Sequence, residues 1–431
     1  MKTKQLLLSF IALFNVAYLF SQTTNFGDNS GTEGVRSTYL GFNAGTTSRG
    51  TENLFVGSNA GFNTTTGGFN TYLGASAGFN STGARNNIYI GRFSGYENIT
   101  GTSNVFIGTS SGQENITNNN VFIGYESGRF NTTGTGNVFN GWRAGYSNID
   151  GVRNLFLGFS AGFNNTSGNN NSFIGSNTGR ANTTGQNNLF LGSSAGLNNT
   201  TGNNNVFLGF SAGSNSTIGD SNLFLGTNSG LNLTTGRGNV FLGTNSGREN
   251  INGIGNVFLG INSGRENIDG IGNVFIGNSS GYESSGNNKL IIDNANDDSP
   301  LIYGNFQTGQ VAINTQKVAD GFALSVGGSL ITEETKIALR DSNGLWPDYV
   351  FKNDYNLKTL NEVEQYILEN GHLENIPSTK EVELNGGIFV GEMNAKLLEK
   401  IEELTLYAIE QEKKLEEQEN RLKKLENLLL K

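Results

Sequence analysis

The chain of 431 residues contains no cysteine, three prolines and one histidine. Without cysteine there is neither a disulfide framework nor a site for a lipid thioether, so stability has to come from packing and assembly. A single histidine and no thiol leave few reactive groups to converge on a substrate; His372 is read as structural and the chain as a non-enzyme. Lysine is missing from residues 23 to 288, where eleven arginines stand against twelve acidic residues. This almost neutral stretch has no basic stripe for phosphate, which argues against nucleic acid as a partner; the net charge of −9 is concentrated in the last third. Pro300, Pro347 and Pro377 all lie beyond it, as expected where every backbone N–H is needed for a ladder. No Asp recurs in the manner of a calcium-binding β-roll, so neither a metal nor another cofactor is expected.

What the chain has in abundance is glycine, 62 residues, and a period. Between Tyr39 and Phe275 an aromatic residue followed by an aliphatic one, or once by Asn140, and glycine returns fifteen times, in steps of seventeen with two of sixteen. Phe106, Phe122, Phe156, Phe190, Phe207, Phe224, Phe241, Phe258 and Phe275 belong to this series. Units of that size bury their apolar face only against their neighbours, which predicts a parallel β-solenoid of about fifteen coils, mainly β, over residues 22–290. The aliphatic-Phe-aliphatic segment is too short for a helix and is flanked by Asn and Gly, so it reads as a strand with its ring on one face and its neighbours on the other. Both faces are then apolar. Whichever lies outside needs a cover, and the simplest cover is an identical chain. The narrow interior leaves no room for a ligand cavity of several hundred Å³.

Two features repeat with the strand. Four residues after each strand glycine comes a second glycine preceded by Ala, Ser or Thr, which lets stacked turns approach closely. Asn stands two residues before the aromatic in fourteen of fifteen units, where it tolerates left-handed backbone and hydrogen-bonds from coil to coil. The short step between Phe106 and Phe122 loses its residue in the turn from Glu114 to Asn120. After the second glycine the residue varies freely, as at Phe79, Tyr96, Gln113, Arg129, Tyr146, Arg180, Leu231 and Arg248, and binding is expected at these turns. Triplets such as Asn63-Thr64-Thr65 are read as by-products of Asn- and Thr-rich turns rather than glycosylation sites. The repeat resembles the heads of trimeric autotransporter adhesins over about residues 35–285, which implies a left-handed parallel β-roll assembled as a trimer.

The ends differ in character. Lys2 and Lys4 precede the apolar run from Leu6 to Phe20, the layout of a signal peptide over residues 1–21 with cleavage between Ser21 and Gln22. No other run is apolar enough to span a bilayer, so no integral membrane segment is expected after its removal. Residues 291–389 read as a mixed α/β connector. In it, Trp346-Pro347-Asp348-Tyr349-Val350-Phe351 and His372 to Ser378, then Gly391-Glu392-Met393-Asn394, resemble the C-terminal region of secreted tail-fibre-like proteins of Bacteroidetes, which implies a secreted fibrous protein.

Residues 390–431 carry a heptad seam, with Ile401, Ala408, Leu415, Leu422 and Leu429 at a and Leu397, Leu404, Gln411, Gln418 and Leu425 at d, the signature of a coiled coil. The run from Arg421 to Glu426 resembles the trimerisation motif of short coiled coils, which implies that Arg421 pairs with Glu426 of a neighbouring chain. The expected molecule is a secreted or cell-surface homotrimer, fibrous and adhesin-like, meeting surfaces or glycans through its turns. A phage-like tail-fibre component and an ice-binding solenoid are the alternatives.

Overall fold

The computed structural model describes residues 23–337 and 346–430, so the proposed signal peptide and its Ser21-Gln22 junction lie outside the described residues. The chain forms two compact units, the first extending to Ser329 and the second beginning at Leu330.

The first unit is a parallel β-solenoid. Its ladder starts at β1 (Thr23–Phe26), continues through the fifteen strands from β2 (Ser37–Leu40) to β16 (Val274–Ile276), and adds β17 (Lys289–Ile292). Seventeen strands therefore stack in parallel, more than the fifteen expected, because β1 and β17 lack the aromatic that marks the repeat. Register is maintained residue on residue, as in Phe207 against Phe224. The sheet then reverses: β18 (Ile302–Asn305) runs antiparallel to β17, β19 (Gln310–Ile313) antiparallel to β18, and β20 (Leu324–Val326) parallel to β19.

Each coil is built around the strand's central ring, which points inward. The fifteen aromatics from Tyr39 to Phe275 are fully buried and form one continuous stack with centroid spacings of 4.7 to 5.3 Å. That spacing is the distance between hydrogen-bonded strands, so ring stacking and backbone pairing are satisfied together. The strand's flanking aliphatics form two columns facing outward, for example Leu225 at 46% and Leu259 at 44% exposure. Roughly two dozen such side chains present on the order of 1,500 Å² of apolar surface, several times what a solvated monomer tolerates and about twice one side of a standard protein interface.

Asparagines line the interior beside the rings. The backbone N–H and Nδ2 of Asn205 donate to Oδ1 of Asn188 at 2.9 and 3.2 Å, its own Nδ2 donates to the Gly219 carbonyl at 2.7 Å, and its Oδ1 accepts in turn from Asn222. These asparagines do not take up left-handed backbone; the residue before each does, as with Asn204 at φ 57° and Asn187 at φ 57°. A second column lies nine residues after the ring. There Asn165 Nδ2 donates to Asn148 Oδ1 at 2.7 Å and to the Gly168 carbonyl at 3.1 Å. Ser216 and Leu233 interrupt this column, and both are fully buried. In the shortened coil Thr117 stands in for the missing glycine: its carbonyl accepts from Asn104 Nδ2 at 2.7 Å and its hydroxyl donates to the Gly134 carbonyl at 2.7 Å.

The glycine after the strand is required by the approach of the next coil. Gly243 has φ 139°, and a Cβ there would lie 2.3 Å from the Gly260 carbonyl oxygen. Gly238, by contrast, is left-handed at φ 65° with nothing within 4 Å of a Cβ. Gly238→Ala is therefore expected to cost about 1–2 kcal/mol, the left-handed penalty alone, whereas Gly243→Ala is expected to melt the coils around it at markedly lower temperature. Parallel thermal denaturation followed by circular dichroism compares them; equal loss would refute the packing role of Gly243.

Tyr72 replaces Phe in the stack, its hydroxyl beside Ser81 without a hydrogen bond of normal geometry. Burial raises its pKa well above the ordinary 10.0. The contribution to stability is complete below pH 10.0 and is lost as pH rises above it, since only the unfolded phenol then ionises freely. Tyr72→Phe is expected to be neutral or stabilising at pH 7 and to shift alkaline unfolding upward, read as the pH midpoint of the far-ultraviolet signal.

Candidate functional site

Two surfaces carry the chemistry of this chain, one in each unit. In the second unit a 3-10 helix (Pro347–Phe351) and α1 (Leu360–Asn370) and α2 (Thr379–Leu384) accompany the forty-residue α3 (Val390–Leu429). Capping boxes start the shorter helices: the Thr359 hydroxyl accepts from the Glu362 N–H and the Ser378 hydroxyl from the Glu381 N–H, each glutamate reaching back to its cap.

One face of α3 is occupied within the chain. Ala395, Glu399 and Glu402 are buried, the spacing of a single helical face. The Tyr349 hydroxyl donates to Glu399 at 2.8 Å, Tyr355 to Glu403 at 2.5 Å, and Lys400 bridges Glu399 and Glu403 at 3.3 and 3.0 Å. Burial opposes ionisation of Glu399, yet the Tyr349 hydroxyl, the Lys400 ammonium and Asn375 hold its carboxyl below the usual value of 4.5. Burial, then the bond to Glu399, pushes Tyr349 up to about 12. His372, edge-on to Tyr366, belongs to the same small unit.

The heptad seam lies on another face of α3 and has no cover. Leu397, Ile401, Leu404, Leu415, Leu422 and Leu425 are 47 to 63% exposed, and Arg421 and Glu426 are exposed as well. Six half-exposed aliphatic residues thus keep the heptad spacing along one side of the helix.

In the solenoid, the turn positions that vary in sequence are not free. Phe62, Phe79 and Tyr96 stack at 5.1 and 5.0 Å, and Tyr146 stacks on Phe163 at 4.9 Å, so this column is half-buried against its own neighbours. Asn131, Asn165, Asn182 and Asn199 each begin an Asn-x-Thr or Asn-x-Ser triplet and are fully buried, which bars them from glycosylation in the folded chain. A further column, directly after the strand glycine, was missed from sequence: Tyr125, Trp142 and Phe159 are exposed there in three consecutive coils. The signal that marks it is a run of three aromatic residues at a point where most units place a small or polar one.

A groove of about 540 Å³ lies at the end of the stack, beside Lys289, Asp293, Asp297 and Asp298, whereas the solenoid interior is filled by the rings. Among the described residues no three or more of His, Asp and Glu cluster as metal ligands, and no helix is long and apolar enough to cross a membrane. No family model matches the chain, and no curated protein shows significant sequence similarity to it.

The pKa directions set a pH window for the second unit. Glu399, depressed in the folded state, contributes stability above pH 4.5 that is lost on acidification; Tyr349, raised, contributes below pH 10.0 and loses it toward 12. Glu399→Gln is expected to flatten the acid limb of the helical signal while leaving the solenoid's β signal unchanged. An unaltered acid limb would remove Glu399 from this role.

Proposed function

We propose that the protein is a secreted or cell-surface homotrimeric fibre, adhesin-like, whose α3 helices form a coiled coil and whose solenoid turns present a binding surface. The observation that carries this reading is the uncovered seam: α3 buries its polar Glu399 face on its own chain and leaves its leucines to solvent. An amphipathic helix normally buries its apolar stripe first, so the occupant of the seam has to come from elsewhere. The outward aliphatic columns of the solenoid favour the same solution, because a partner with an identical axial repeat matches them coil for coil. Function then consists of presenting a long, rigid, nearly neutral surface rather than transforming a substrate.

Sedimentation of residues 23–431 at micromolar concentration is expected to give a species of three times the chain mass. Arg421→Ala with Glu426→Ala is expected to weaken or alter that species, and deletion of residues 391–431 to lower both trimer yield and melting temperature. A stable monomer of the unaltered chain would end the proposal; an intact trimer after the deletion would transfer assembly to the solenoid face.

A further inference from the structure

The solenoid departs from its own repeat over a short stretch. After the strand glycine most coils carry a small or polar residue, such as Ser176, Ser193 and Thr227, and Phe42, Phe210 and Ile261 stand there singly, but three coils in succession carry Tyr125, Trp142 and Phe159, exposed at 45, 38 and 50%. At the next position, where the backbone is left-handed and Asn or Ser is usual, stand Glu126 at φ 51° and Arg143 at φ 53°. Side chains of that kind cost about 1–2 kcal/mol in left-handed backbone, and such strain concentrates where it serves something other than folding.

These residues form one patch. The Glu126 side chain, 7% exposed, accepts from Arg129 and from Arg143, each at 2.6 Å. The Arg143 guanidinium lies over the rings of Trp142 and Tyr146, 4.4 and 5.2 Å from their centroids. It spends only Nε on Glu126, and Nε of Arg129 has no partner. Arg129 and Arg143 share Glu126, and Glu114 of the preceding coil also acts on Arg129. Between residues 85 and 180 six arginines meet four acidic residues, net +2, in a chain whose total is −9.

The rings present a particular side. Trp142 and Phe159 stack at 4.6 Å and 5°, with Tyr125 6.4 Å beyond Trp142, so free ring faces remain only at the two ends of this short stack and the rims make up the rest of its exposed side. Stacking of a neutral sugar requires a free ring face. An aromatic rim is the positive end of the ring quadrupole and, with adjacent arginines, attracts anions. A contact between in-register copies would recur along the whole ladder, whereas this patch spans a few coils.

We infer that Tyr125, Trp142, Phe159, Arg129 and Arg143 form a binding site for an acidic polysaccharide, whose carboxylate or sulfate groups lie along the rims and are held by the two guanidinium groups. The inference rests on the reading of the turns as the binding surface and gives that surface a place and a ligand class. Sugar rings of the polymer lie across the exposed edges, and successive anionic groups engage Arg143 and Arg129 on adjacent coils.

The test uses residues 23–431 and the double variant W142S/R143S. Ser193-Ser194 already occupies the equivalent pair of positions in another coil, with Ser194 left-handed at φ 61°, so the scaffold accepts the change. Binding of polygalacturonate, dextran sulfate and neutral dextran is measured by biolayer interferometry at low and physiological salt. The unaltered protein is expected to bind at least one acidic polymer, more weakly as salt rises, and not dextran; the double variant is expected to lose about tenfold or more in affinity. The stronger of the two acidic polymers distinguishes carboxylate from sulfate. Equal binding by dextran, absence of binding to both acidic polymers, or a double variant that binds as well as the parent would overturn the site. Ser substitution of the remaining turns separates the two readings: acidic polymer retained by W142S/R143S but lost there would spare the turns in general while removing this patch. Altered sedimentation of the double variant would reassign the patch to contact between copies and overturn it as well.

Discussion

Every coil of this solenoid must place its backbone one strand spacing from the next around the whole circumference, and that requirement governs the residues used. Ring centroids 4.7 to 5.3 Å apart leave nothing between coils but hydrogen bonds and van der Waals contact. Gly243, pressed on the Gly260 carbonyl, has no substitute; neither has Gly247, where a Cβ would meet the Phe241 ring at 2.5 Å. Inside the coil the same requirement turns polar groups into an asset. A buried Asn repeated at the coil spacing finds its acceptor and donor in its own copies, so the desolvation cost of one amide is offset by the next. The interior can thus be half amide and half aromatic without losing cohesion.

Periodicity made the architecture readable, because a seventeen-residue return of aromatic, aliphatic and glycine admits few folds. It was less informative about detail. The second asparagine column stands at a fixed nine residues from the ring, yet Ser216 and Leu233 interrupt it and the surrounding Thr and Gly make it look like turn composition. The left-handed residue was misplaced by one position, since Asn is favoured both as a ladder amide and in left-handed backbone, and here the two roles fall on neighbours such as Asn204 and Asn205. The run from Asn287 to Asp293, which holds β17, reads as an atypical capping coil, whereas β1 escaped because a flanking coil needs the backbone ladder but not the ring. For α3 the heptads were plain, while the use of its Glu399 face depended on Tyr349 and Tyr355, some fifty residues away, and no local pattern announces such a pairing.

Uniformity and exception divide the surface between them. The outward aliphatic columns, broken by Thr38, Thr71, Asn140 and Ser172, and the α3 seam, broken by Gln411 and Gln418, otherwise keep their period, which suits contact with another repeating object. Tyr125, Trp142 and Phe159 with their ion-paired Glu126 do the opposite, replacing consensus residues within a few coils. A scaffold with a strict period tolerates such replacements because each coil is held by two neighbours, so local strain is shared rather than propagated.

A stack of parallel strands has two open rims, and each rim is a template on which another chain can continue the ladder. At the far rim β18 reverses direction against β17, and β19 reverses again. Two reversals restore the direction of the coils, and β20 follows parallel to β19, so the sheet ends on a strand of only three residues, Leu324–Val326, instead of on a full coil. What this rim offers a newcomer is thus a short edge, one of the devices by which a fold close in geometry to a cross-β fibril stays at finite length.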